Sequence, residues 1–121
     1  MSYRDNAVYA ELEHMAGEAG FKVVYTEVQP DIYAHARDNV IEMPEEDVFD
    51  CGEQAALILG HEMGHLLTGF GSGEILYEHQ VRNEAFCDLA GVLLYQLAEA
   101  TAGHKAELAL MEAFGDSEVT R

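Results

Sequence analysis

The strongest constraint on this chain is the run His61-Glu62-Met63-Gly64-His65. In a helix, residues four apart share a face, so His61 and His65 point the same way about one turn apart, and two imidazoles can meet one metal ion. Glu62 adjoins His61 in sequence but is rotated about the axis, which sets its carboxylate beside the metal, where it can take a proton from water. Two histidines leave the set short, because a catalytic zinc takes three protein ligands and keeps one position open. The fold must therefore bring up a second element. Asn83-Glu84-Ala85-Phe86-Cys87-Asp88 offers one, with Glu84 as third ligand. Asp88, one turn on and on the same face, is placed to hold a zinc-bound imidazole through the ring's other nitrogen.

The surroundings predict helices at both places. Gln54-Ala55-Ala56-Leu57-Ile58-Leu59-Gly60 leads into the histidine run, and the spacing predicts a helix from about 52 to 68, stopped by Gly69, with Asp50 as N-cap. Two surface histidines on an acidic helix would be the plain alternative. Leu57, Ile58, Leu59, Leu66 and Leu67 speak against it by predicting a largely buried helix, in which polar side chains need partners. Gly60 and Gly64 each cost about 1 kcal/mol of helix stability against Ala, which points to close approach of another backbone beneath the site. A second long helix is expected over about 80–100, with Glu84 and Asp88 on one face and Val92, Leu93, Leu94 and Leu97 in the core. A short helix is expected near 105–114.

Upstream, Val8, Leu12, Met15 and Ala19 recur at helical spacing over 5–19, and Gly17 and Gly20 end the pattern. Residues 21–28 read as a strand rich in β-branched and aromatic side chains, closed by Pro30. Ile32–His35 and Asn39–Met43 read as a hairpin turning at Arg37-Asp38-Asn39. The expected fold class is α+β: an N-terminal helix, a small three-stranded sheet, the histidine helix and a glutamate-bearing helix, all in a single domain over 1–121.

The chain carries 23 acidic against 6 basic residues, a formal charge of −17. That argues against direct nucleic-acid binding, which needs a basic footprint, and fits a basic partner, a basic substrate or a salty habitat. No apolar run approaches the ~20 residues that span a membrane, and the N-terminus has no signal-peptide core, so a cytoplasmic location is expected. Cys51 and Cys87 do not form a secreted disulfide framework, and Cys87 reads as a small buried apolar residue.

His61-Glu62-x-x-His65 followed by Asn83-Glu84-Ala85-x-x-Asp88 resembles the gluzincin metallopeptidases. The small size and order of elements are closest to the ImmA/IrrE-type zinc peptidases, with the minigluzincins a related possibility. The resemblance covers roughly residues 5–100, with specificity carried by the two metal motifs. It implies a zincin-like domain in which His61, His65 and Glu84 bind Zn2+, Glu62 is the general base, and Asp88 orients a histidine. It also implies an endopeptidase acting on a protein or peptide substrate, and the ImmA/IrrE type implies a DNA-binding repressor. Tyr77, in the expected loop before the glutamate helix, is the candidate oxyanion donor, with His79 and His35 as further candidates. Gluzincins lay peptide along an edge strand, which here could be Val40–Met43 or Ile32–His35. A metzincin is disfavoured, since Gly71 stands where that clan places a third ligand. Two other classes remain: a non-catalytic zinc-binding regulator, and an acidic interaction protein or DNA mimic that binds no zinc.

Overall fold

The computed structural model describes residues 2–27, 35–45, 48–68 and 77–114; for 35, 37 and 77–82 it describes the backbone. A 3₁₀ turn, Tyr3–Asp5, leads into helix α1, Ala7–Glu18. Asn6 caps α1: its side-chain oxygen accepts from the backbone N–H of Val8 and of Tyr9, each at 3.0 Å, satisfying two donors that the helix leaves without partners. Strand β1, Lys22–Thr26, follows, then β2, His35–Arg37, and β3, Val40–Pro44. β2 and β3 form a hairpin closed by Asp38 and Asn39 at φ 53° and 63°. Two successive left-handed residues give the tight turn whose twist matches the strands, and Asp and Asn tolerate that region better than other side chains. The sheet order is β1-β3-β2, with β3 central, parallel to β1 and antiparallel to β2. The class is α+β. The expected first segment of the hairpin, residues 32–34, lies outside the described residues.

Helix α2, Gly52–Thr68, has the bounds the sequence predicts, but its start differs in detail. Cys51 directly precedes the helix, and its carbonyl accepts from Ala55 N–H at 3.4 Å. Asp50 stands one residue farther out. Its N–H donates to Gln54 Oε1 at 2.7 Å, so the Gln54 side chain reaches back across the helix start.

The larger correction concerns the C-terminal half. The two expected helices, about 80–100 and 105–114, are one helix, α3, Tyr77–Ala113. At 1.5 Å per residue its 37 residues span about 55 Å. The helix runs through the expected gap because its one glycine there, Gly103, costs only about 1 kcal/mol and the flanking Ala, Leu, Glu and Lys favour helix. An ion pair also anchors this region, since Lys105 Nζ meets the buried carboxylate of Glu11 on α1 at 2.7 Å. Among the described residues, no helix is long and apolar enough to cross a membrane.

The core joins Tyr9, Leu12 and Ala16 of α1, Ile41 and Met43 of β3, Ala55, Ala56, Leu59 and Met63 of α2, and Ala98 of α3. At its edge, the Tyr9 and Tyr25 hydroxyls lie 2.8 Å apart, Tyr25 donates to Glu13, and the Arg4 guanidinium sits 3.6 Å over the Tyr25 ring. Burial pushes both phenols above their ordinary range, which keeps them protonated as donors. The expected core of the last two helices is only partly right. Leu94 is partly buried, but Val92, Leu93 and Leu97 are exposed, as are Leu57 and Leu67 on α2.

Small residues line the contact instead. A Cβ on Gly60 would stand 2.9 Å from the Gly91 carbonyl oxygen, and one on Gly91 would stand 2.8 Å from the His61 backbone nitrogen. Around Gly103 and Gly17, by contrast, nothing lies within 4 Å of an added Cβ. Gly60→Ala and Gly91→Ala should therefore each destabilise the chain by about 1–3 kcal/mol through overpacking. Gly17→Ala and Gly103→Ala should each stabilise it by about 0.5–1 kcal/mol through helix propensity. Urea unfolding midpoints of the four variants check this, and equal midpoints for Gly60→Ala and Gly103→Ala would contradict it.

Candidate metal centre

The glycine contact positions the site. Gly60 and Gly64 face Gly91, Cys87 and Ala90 across the α2–α3 junction, where a Cβ on Gly64 would come within 3.1 Å of the Cys87 carbonyl oxygen. His61 and His65 flank these glycines on α2, and Glu84 and Asp88 flank Cys87 on α3. Backbones this close leave room for a short carboxylate to reach a ring nitrogen on the facing helix.

Three side chains converge. His61 Nε2 and His65 Nε2 are 3.1 Å apart, His61 Nε2 is 3.0 Å from Glu84 Oε2, and His65 Nε2 is 3.3 Å from Glu84 Oε1. A tetrahedral zinc ion with bonds of about 2.0–2.1 Å holds its ligand atoms roughly 3.3 Å apart, so the spacing of the set matches the ion. Hydrogen bonding supports the same reading. Asp88 Oδ1 lies 2.8 Å from His61 Nδ1. If Nδ1 carries the proton and donates to that carboxylate, a neutral His61 presents a bare lone pair at Nε2, aimed at the other two donors. His61, His65 and Glu84 thus form a group that could hold a metal ion.

Glu62 is buried beside this group, with its Oε2 4.0 Å from His61 Nε2. Both histidines are largely covered, whereas the side chains of Glu84 and Asp88 are 47% and 74% exposed, so the α3 side of the site opens to solvent.

Cys87 is fully buried, and burial pushes its thiol up, which favours the neutral form over the thiolate that metals bind. It packs against Gly64, in keeping with a small apolar residue. Cys51 is exposed at the α2 N-terminus. His14 and His104 are exposed, and His14 pairs with Glu18 at 3.3 Å on the α1 surface.

Tyr77 needs correction. It was expected in a loop, but its backbone begins α3, as His79 lies in the first turn of that helix. The helix reaches farther towards its N-terminus than the core pattern implied, because Tyr77-Glu78-His79-Gln80 carries no helix breaker. The side chains of Tyr77, His79 and His35 lie outside the described residues. Gly91 was missed by the sequence reading. Its signal was an isolated glycine within a leucine-rich helical run, seven residues after Glu84.

Comparison with known proteins adds no relative: no family model, no curated protein and no solved structure matches this chain.

The donor geometry leads to an expected stoichiometry of one zinc per chain, lost in His61→Ala and in Glu84→Ala. Asp88→Ala should keep the site but weaken zinc affinity about 10- to 100-fold, because the His61 ring loses its orienting acceptor. Competition titration against a chromophoric chelator measures both, and unchanged affinity in Asp88→Ala would show that its contact with His61 does not serve the metal.

Proposed function

We propose that the chain is a zinc-dependent endopeptidase of the gluzincin kind, with a minimal zincin-like domain. The observation that carries this reading is the convergence of His61, His65 and Glu84, with the buried Glu62 carboxylate directly alongside. A pure metal scaffold has no need of that acid.

Zinc held by the three ligands would supply a Lewis acid that lowers the pKa of water toward ~7 and polarises a carbonyl. The protein's own groups do the rest. Glu62 accepts the proton of the attacking water and returns it to the leaving amine. Its burial shields it from solvent screening. Asp88 holds the His61 ring in one tautomer through Nδ1, so that Nε2 stays available to the metal.

An extended substrate would add to an edge strand. Val40–Met43 does not suit this role, since β3 is paired on both sides. β2 is an edge, and α2 packs against it, which favours the strand containing His35. The net charge of −17 suits a basic protein substrate, and a DNA-binding repressor is the class proposed. A reducing, cytoplasmic setting is part of the proposal and agrees with two free thiols.

The test separates base from ligand. Glu62→Gln should retain the fold and bind zinc as wild type does, yet hydrolyse a basic repressor, or an unstructured protein, at least ~100-fold more slowly, because the amide accepts no proton at neutral pH. Equal rates would remove Glu62 from the role of base. Full zinc occupancy with no cleavage by wild type would favour a non-catalytic zinc regulator instead.

A further inference from the structure

Helix α3 is apolar on two sides. One side packs on α2 and α1 through Cys87, Gly91, Leu94 and Ala98. On the other, Phe86, Leu89, Leu93 and Leu97 recur at spacings of three and four, and each is 51–56% exposed. At 100° per residue these four fall within one quarter of the helix circumference, centred about 125° around from the buried face.

We infer that this outer face of α3 is the seam of a homodimer, in which two copies pair their α3 helices antiparallel about a two-fold axis at Leu93.

Charge selects the second copy over other occupants. The chain carries −17, yet no charged side chain lies on this face from Phe86 to His104. The two acids within that stretch, Asp88 and Glu99, project to other sides of the helix. A basic partner steered by the net charge would seek carboxylates, and this strip offers none. A second copy would be repelled by the acidic surface elsewhere, and this strip is where the repulsion is least.

The residue order is self-complementary. With Leu93 on the axis, Leu93 meets its own copy, Leu89 faces Leu97 of the other copy, and bulky Phe86 faces small Ala100, as an isologous contact requires. The size also fits. Half-exposed Phe86, Leu89, Leu93 and Leu97 with their smaller neighbours present on the order of 500 Å² per copy, at the upper end of what a monomer leaves open. Pairing two such faces buries on the order of 1,000 Å², the lower bound of a specific interface, which implies a reversible dimer rather than an obligate one. The metal ligands stay clear of the seam. Glu84 and Asp88 are each two residues from Phe86 and so lie about 160° around the helix from it. Both metal centres of the dimer would face outward and remain open to substrate.

Sedimentation of the 121-residue chain from about 5 to 200 µM tests this. Wild type should shift with concentration from 13.4 kDa to twice that mass. Added salt should strengthen the dimer, since screening weakens repulsion between acidic surfaces while leaving apolar contact intact. Leu93→Glu places two like charges together on the axis and should weaken association at least 100-fold. It alters a position already exposed in the monomer, so its circular dichroism and zinc affinity should match wild type. A wild-type chain that stays monomeric at 200 µM would overturn the inference, as would a dimer that Leu93→Glu leaves intact. So would a monomer that binds phosphatidylcholine vesicles through the same face, which would assign the strip to a membrane surface.

Discussion

Two helix backbones touching at three glycines set the position of nearly everything else in this chain. Gly60 of α2 meets Gly91 of α3 at a distance that admits no Cβ without a shift of backbone, and Gly64 meets Cys87 where a Cβ would be crowded at 3.1 Å. Helices with ordinary side chains at a contact lie 8–10 Å apart. A carboxylate on such a helix would have to reach farther to share a donor set with histidines on its neighbour. The glycines remove that distance, and the loss of helix propensity they bring is offset by burial of Leu59, Met63 and Ala98 around the junction. The site therefore depends on positions that bear no functional group.

The same closeness explains the division of exposure within the site. His61, His65 and Glu62 grow from α2, whose flank is packed beneath α3 and beside the sheet, and they are largely covered. Glu84 and Asp88 grow from the far helix and stay about half and three-quarters in solvent. Imidazoles suffer little from cover when their nitrogens have partners, whereas carboxylates keep their charge at least cost when part of their hydration remains. A cation arriving from solvent would meet the carboxylates first and the imidazoles last. Salt would weaken that attraction, which acts over about a Debye length.

The sequence showed α1, α2 and β3 because each buries one side only, and one-sided burial leaves a period that can be read. β1 was legible from its β-branched and aromatic residues, whereas the strand expected over Ile32–His35 is described as β2, His35–Arg37, with Arg37 in the strand rather than in the turn. The donor set was legible for a different reason: spacings of four residues on a helix fix relative position without any knowledge of packing. α3 was misread on both counts where that logic fails. Leucines at 93 and 97 were assigned to the core because leucine is usually buried, but the core side of α3 is held by Cys87, Gly91, Leu94 and Ala98. With apolar residues on both sides the helix has no dominant face, and the sequence cannot say which side meets α2. The choice is made by the glycines, and only Gly60 and Gly64 had been recognised as points of approach. Length was misjudged similarly. Past residue 100 the helix is pinned by Lys105 to Glu11, a contact across 94 positions of chain that no local pattern reveals.

One helix thus presents three distinct surfaces: a small-residue side against α2, an acidic edge at the metal site, and an uncharged apolar back. These demands compete for the same 3.6-residue turn. Between Glu84 and Gly91, every residue but Ala85 serves one of the three, with Cys87, Ala90 and Gly91 inward, Glu84 and Asp88 at the site, and Phe86 and Leu89 outward. Shifting α3 about its axis by one residue, or 100°, would bring Phe86 or Leu89 toward α2 and collide with the backbone of Gly60 or Gly64. Leucine and phenylalanine cannot fit where a single methyl group already comes within 3.1 Å of neighbouring atoms. The steric exclusion of large side chains from the glycine junction, more than any attraction, therefore sets the rotation of α3 and keeps its carboxylates turned toward the histidines.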